Sequence, residues 1–180
     1  GPGQLDAPED VAAEGEGESL RIFVCDTGNA RVQRFNRAGI HELTIDGTAA
    51  GGAPLREPRS LVALPAGGLA VLEPDAVRVF ASDGDAAGSF GQFRNARRIS
   101  RSWHGGGVTV ADPASRTVHL MGLSGLIVRD MPLPGTSDLA LILPGTRGGI
   151  LVLADPTQAD LRGALLREDA PEDTAVRVTQ

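Results

Sequence analysis

The sequence repeats itself, and that repetition limits the fold more than any other feature. Four segments open with an apolar anchor followed six residues later by an apolar strand position: Leu5 and Val11, Leu55 and Leu61, Phe93 and Ile99, Leu133 and Leu139. A second strand then ends on an acid, at Ile22–Asp26, Leu69–Glu73, Val108–Asp112 and Ile150–Asp155. In the first three copies a third strand reaches a turn glycine at a constant four-residue spacing: Phe35 to Gly39, Phe80 to Gly84, Met121 to Gly125. The fourth copy is degenerate, its third strand reading 160–164 with Glu168 in place of the glycine. A period of roughly 43 residues with several strands per unit is the mark of a propeller blade. One β-sandwich has no reason to reproduce anchors at matched offsets.

The expected fold is therefore all-β, a β-propeller with about four four-stranded blades in this chain. The blades should cover roughly 5–47, 55–91, 93–131 and 133–178 of one domain spanning 3–180. In the first, strands are expected near 10–13, 20–25, 31–36 and 42–46. Gly1-Pro2 reads as a tag remnant. Runs such as Leu69-Ala70-Val71-Leu72 and Ile150-Leu151-Val152-Leu153 are apolar on both faces, as in strands covered from both sides.

Composition agrees and narrows the function. Glycine (24) and proline (12) are abundant without collagen periodicity, which suits short strands joined by tight turns. Aromatic residues make up only 3%, so the core must be aliphatic. A single cysteine, Cys25, rules out an internal disulfide and fits a reducing, cytoplasmic setting. No apolar run approaches the ~20 residues of a membrane span, so no membrane partner is expected. All 17 basic residues are arginine, and the formal net charge is −6. That balance disfavours general nucleic-acid affinity, which needs cations to neutralise the phosphate backbone.

The segment Val24-Cys25-Asp26-Thr27-Gly28-Asn29-Ala30-Arg31-Val32-Gln33-Arg34-Phe35 resembles the NHL repeat, V-x-D-T-x-N-x-R-V-Q-x-F. Upstream, Gly3 through Ala12 is similar to that family's P-x-x-V-A signature. The second copy matches less closely, with Glu73 for the aspartate. The third keeps Val110-Ala111-Asp112, and the fourth only Leu153-Ala154-Asp155. The resemblance implies that Asp26, Glu73, Asp112 and Asp155, with Arg31 in the first copy, brace the turn between second and third strands. It further implies a non-catalytic recognition domain, most like the one with which tripartite-motif ubiquitin ligases recruit protein substrates or RNA.

The residues themselves offer little for catalysis. His41, His104 and His119 fall at unrelated repeat positions, with no carboxylate or cysteine at ligand spacing. The lyase propellers of this family use a histidine-bound zinc and a tyrosine, and this chain has no tyrosine. A metal-dependent lyase or hydrolase is thus the weakest reading, and no cofactor or metal is expected. Arginine clustering is the better signal. Arg94, Arg97, Arg98 and Arg101 lie in the connection to the third blade, and Arg56, Arg59, Arg31 and Arg116 occupy the equivalent connection or the adjoining turns. A face holding Arg56, Arg59, Arg94, Arg97, Arg98 and Arg116, exposed and mutually close, would suit carboxylates or phosphates through bidentate guanidinium geometry. A protein partner is the first expectation and RNA the alternative.

Overall fold

The computed structural model describes residues 1–102 and 106–133 in full. Beyond them it describes the backbone of four further strands. The strands form four antiparallel sheets of four, each a simple meander. The first contains β1 (Pro8–Glu14), β2 (Arg21–Asp26), β3 (Arg31–Asn36) and β4 (His41–Ile45). The second contains β5 (Ser60–Ala63), β6 (Leu69–Leu72), β7 (Val77–Phe80) and β8 (Ala86–Phe90). The third contains β9 (Arg98–Arg101), β10 (Gly107–Asp112), β11 (Thr117–Gly122) and β12 (Ile127–Pro132). The fourth contains β13 (Leu139–Pro144), β14 (Gly149–Ala154), β15 (Arg162–Arg167) and β16 (Val176–Val178). Its third strand is thus Arg162–Arg167 and not 160–164, because the degenerate repeat offers no anchor from which to count. Among the described residues the only helical pieces are single 3₁₀ turns, such as Thr27–Asn29 and Pro65–Gly67. The chain divides into two compact units, Gly1–Gln92 and Phe93–Gln180.

One turn, built three times, sets the register of the outer strands. Gly39, Gly84 and Gly125 have φ of +75°, +92° and +84°, a region that L side chains enter only at a cost. In each copy the glycine N–H bonds back three residues, to Asn36, Ala81 and Gly122. The same three residues donate forward to Ile40, Asp85 and Leu126. A turn ending in a left-handed residue leaves a bulge in the partner ladder. The ladder shifts accordingly at Arg34/Phe35, Val79/Phe80 and Leu120/Met121.

In the first unit the two sheets pack face to face. Phe23, Cys25, Val32 and Ile45 of the first bury against Leu61, Ala63, Leu69, Val71 and Phe80 of the second and against Leu55 of the connection between them. Each fully buried aliphatic side chain stabilises by about 1.5–3 kcal/mol. Asp10 bridges the same pair of sheets, its Oδ2 accepting from Ser60 Oγ at 2.6 Å and Leu61 N at 3.0 Å. In the second unit Ala111, Val118, Leu120, Met131 and Leu133 form a separate cluster.

Candidate functional site

The acid at the end of the second strand in the first three sheets is buried, and its donors show why it survives there. Asp26, fully buried, accepts the N–H of Asp6 at 2.6 Å. It also takes Asn29 Nδ2 at 3.0 Å, Arg31 Nε at 2.6 Å and Gln33 Nε2 at 3.0 Å. Burial pushes the Asp26 carboxyl up, but the Asp6 amide, the Arg31 guanidinium and the Asn29 amide outweigh it and hold the group below the usual carboxylate range. Arg31 is itself consumed, donating also to the carbonyls of Gly1 and Gln4.

The other copies keep the main-chain half of this device. Glu73 accepts the N–H of Arg56, and Asp112 accepts those of Arg94 at 2.7 Å, Asn95 at 3.1 Å and Ala114 at 3.1 Å. Each of these three carboxylates therefore grips the residue just after its own apolar anchor, Leu5, Leu55 or Phe93. A lone pair already filled by a backbone amide is a poor metal ligand or general base. Among the described residues no three His, Cys, Asp or Glu side chains gather where they could hold a metal. Asp155 lies outside the described residues.

Because the acid grips the connection, that connection lies beside the turn between second and third strands. In the third sheet the Asp112 bonds and an Arg97 N to Ala111 O bond place Arg94, Arg97 and Arg116 at one edge. Arg116 sits in the turn itself, with φ +56°. It occupies the position of Ala30 (φ +51°) in the first sheet, four residues past the acid. All three arginines are exposed, and among the described residues none has a carboxylate partner. Arg98, at the start of β9, is half-buried.

The equivalent edge of the second sheet differs. Arg56 is exposed but pairs with Asp75 at 2.9 Å. Arg59, expected on the open face, is buried, its guanidinium 2.7 Å from Glu57 and its N–H on Leu72 O. That placement follows from sequence position: Arg59 directly precedes β5, where the chain is already being drawn into the sheet. Trp103 and His104 lie outside the described residues. His41 bonds Thr44, and His119 bonds Asp130, so neither faces a shared centre.

No protein-family model matches the chain, and no curated protein matches its sequence. Solved structures do match. A streptogramin B lyase structure superposes with a TM-score of 0.70 at 9% identity over 93% of this chain and 53% of that one. Virginiamycin B lyase from Staphylococcus aureus gives 0.70 at 11% identity, covering 96% and 55%. Hydrazine synthase from Kuenenia stuttgartiensis gives 0.75 at 12% identity, covering 97% and 50%. The chain thus spans about half the length of the structures it is similar to. At such identities the likeness speaks for fold alone, and the fold is that of the β-propeller.

Proposed function

We propose that this chain is a non-catalytic recognition platform whose third-sheet edge captures an acidic segment of a partner protein. The observation that carries the reading is the placement of Arg94, Arg97 and Arg116 along one sheet edge, exposed and without carboxylate partners among the described residues. Like charges placed along one edge do not stabilise the fold, which favours a ligand as their role. The backbone bonds to Asp112 pre-organise the edge, which lowers the ordering cost of binding. Resemblance of Val24–Phe35 to the NHL repeat supports the narrower reading, the substrate-recruiting domain of a cytoplasmic tripartite-motif ubiquitin ligase. RNA is the second reading, supported by the same guanidinium chemistry and opposed by the net charge of −6.

The test titrates the whole chain with a fluorescently labelled oligoglutamate peptide and with a single-stranded RNA, across a range of salt. The Arg97→Glu/Arg116→Glu variant should lose at least tenfold in peptide affinity with unchanged melting temperature. Equal peptide affinity in wild type and variant would overturn the reading. Tighter RNA than peptide binding, lost in the variant, would transfer the site to RNA.

A further inference from the structure

The second and third sheets build the same device at their edge, and the second shows how that device holds a carboxylate. Arg56 and Arg94 each stand directly after an apolar anchor, Leu55 and Phe93. Each has its backbone N–H fixed by the buried acid of its own sheet, Glu73 for Arg56 and Asp112 for Arg94. Both arginines are exposed, and a proline follows the acid in both turns, Pro74 and Pro113. The two positions therefore match in sequence and in main-chain anchoring.

They differ in what stands across from the guanidinium. In the second sheet Asp75, two residues past the acid, sets both carboxylate oxygens against Arg56 Nη2, at 3.1 Å and 2.9 Å. In the third sheet the turn is one residue longer and reads Pro113-Ala114-Ser115-Arg116, with no acid at any position. Ala114 stands two residues past Asp112 and is exposed. The first sheet, whose turn has the length of the third, shows that these two positions adjoin. There Gly28, two residues past Asp26, donates its N–H to Asp6 O at 3.0 Å, and Asp6 directly follows the Leu5 anchor. A Cβ built on Gly28 would meet Asp6 Oδ2 at 2.7 Å.

We infer that a side-chain carboxylate of the partner docks on Arg94 beside Ala114, at the place that Asp75 fills beside Arg56. This rests on the reading of the third-sheet edge as the capture site for an acidic segment, and it names the contact that selects the partner. Charge-assisted pairing with a guanidinium favours a carboxylate there. An exposed ion pair adds little to stability, so the third turn loses little by carrying alanine in place of an acid. What it gains is a cation left open to a partner. The second sheet, by contrast, closes the same position from within its own turn.

The experiment measures binding of the labelled oligoglutamate peptide to the full chain and to Ala114→Asp, which supplies the carboxylate from within. Ala114→Asp should lower the affinity by about tenfold or more with an unchanged melting temperature. Ala114→Asn, close in size but uncharged, should stay within about twofold of wild type. So should Ser124→Asp, which adds the same charge in the exposed turn beyond the far end of β11, where salt screens it from the edge. Arg94→Ala should weaken binding as Ala114→Asp does. Ala114→Asp binding as tightly as wild type, while Arg97→Glu/Arg116→Glu fails to bind, would overturn the inference and leave the edge standing as a capture site. Equal weakening by Ser124→Asp would overturn it too, by reducing the effect to net charge. A wild type that binds no peptide would overturn both the capture site and this contact.

Discussion

The carboxylate of Asp112 holds the backbone N–H of Arg94 at 2.7 Å, so the buried acid and the exposed base of the third repeat belong to one device. The acid fixes the main chain immediately after the Phe93 anchor, and the fixed main chain presents the arginine at the sheet edge. Asp26 does the same to Asp6, which carries no cation there. The scaffold is thus repeated while the side chain it displays is free to vary.

Removing the acid should cost stability in proportion to the donors it strands. Asp26→Ala leaves the Asp6 amide without its acceptor, and fully buried Gln33 with only the Gln4 carbonyl for its side-chain amide. We expect a loss of about 1–3 kcal/mol, the usual penalty for orphaned buried polar groups. Asp26→Asn keeps one acceptor oxygen but not the charge facing Arg31, and should fall between wild type and alanine. Chemical denaturation of the three proteins gives the order directly.

The same carboxylate sets a pH dependence. The folded-state pKa of Asp26 is depressed, so its contribution is complete at neutral pH, above the unfolded value near ~3.9. It shrinks as pH drops below that value and disappears below the folded pKa. Asp46 behaves alike, held down by the Thr48 amide and hydroxyl. Melting temperature should therefore fall on acidification below about pH 4. The gap between wild type and Asp26→Asn should close over the same interval. A gap that stayed constant would show that the charge of Asp26 is not what stabilises the fold.

Much of this was legible beforehand because it depends on local spacing. Phe35 to Gly39 and its two copies mark turns that need positive φ, and all three glycines have it. Asp26 was readable as structural because Asn29 and Arg31 stand within its own turn. Its bond to Asp6 was not, since that contact joins residues twenty apart and involves only a main-chain amide. The arginines divide in the same way. Their place at an edge follows from the repeat. The neutralisation of Arg59 by Glu57 and of Arg56 by Asp75 depends on side-chain geometry that charge counting does not reveal. Nor does periodicity distinguish exposed Val11 from buried Leu61, because spacing does not record what packs over a strand.

The repeated turn can be tested by adding one methyl group. At Gly39 (φ +75°) a Cβ meets nothing within 4 Å, so Gly39→Ala bears only the backbone cost, about 1–2 kcal/mol. At Gly84 (φ +92°) the Cβ would also approach Ile45 Cγ1 at 3.3 Å and Leu43 Cδ2 at 3.4 Å. Gly84→Ala should therefore be the more destabilising of the two, as read from denaturation midpoints. Equal losses would mean that Leu43 and Ile45 give way freely.

Arg59 and Arg97 offer the sharpest contrast, because both stand in connections ahead of a first strand and their spacing alone does not separate them. Arg59 is 7% exposed, its N–H bonded to Leu72 O and its guanidinium gripped by Glu57. Arg97 also bonds through its N–H, to Ala111 O, but its side chain is exposed. Truncating Arg59 removes a packed alkyl stem and leaves Glu57 without its cation, whereas truncating Arg97 removes only solvated atoms. Glu57 is itself half-exposed, so water offsets part of the lost pairing and the packing term should dominate. Arg59→Ala is therefore expected to lower stability by about 1–2 kcal/mol, within the common range for point substitutions, and Arg97→Ala to stay within about 0.5 kcal/mol of wild type. Binding of the oligoglutamate peptide should respond in the opposite order, weakened by Arg97→Ala and little changed by Arg59→Ala at temperatures well below melting. If Arg59→Ala proved as stable as wild type and Arg97→Ala did not, the division between structural and displayed arginines would be reversed.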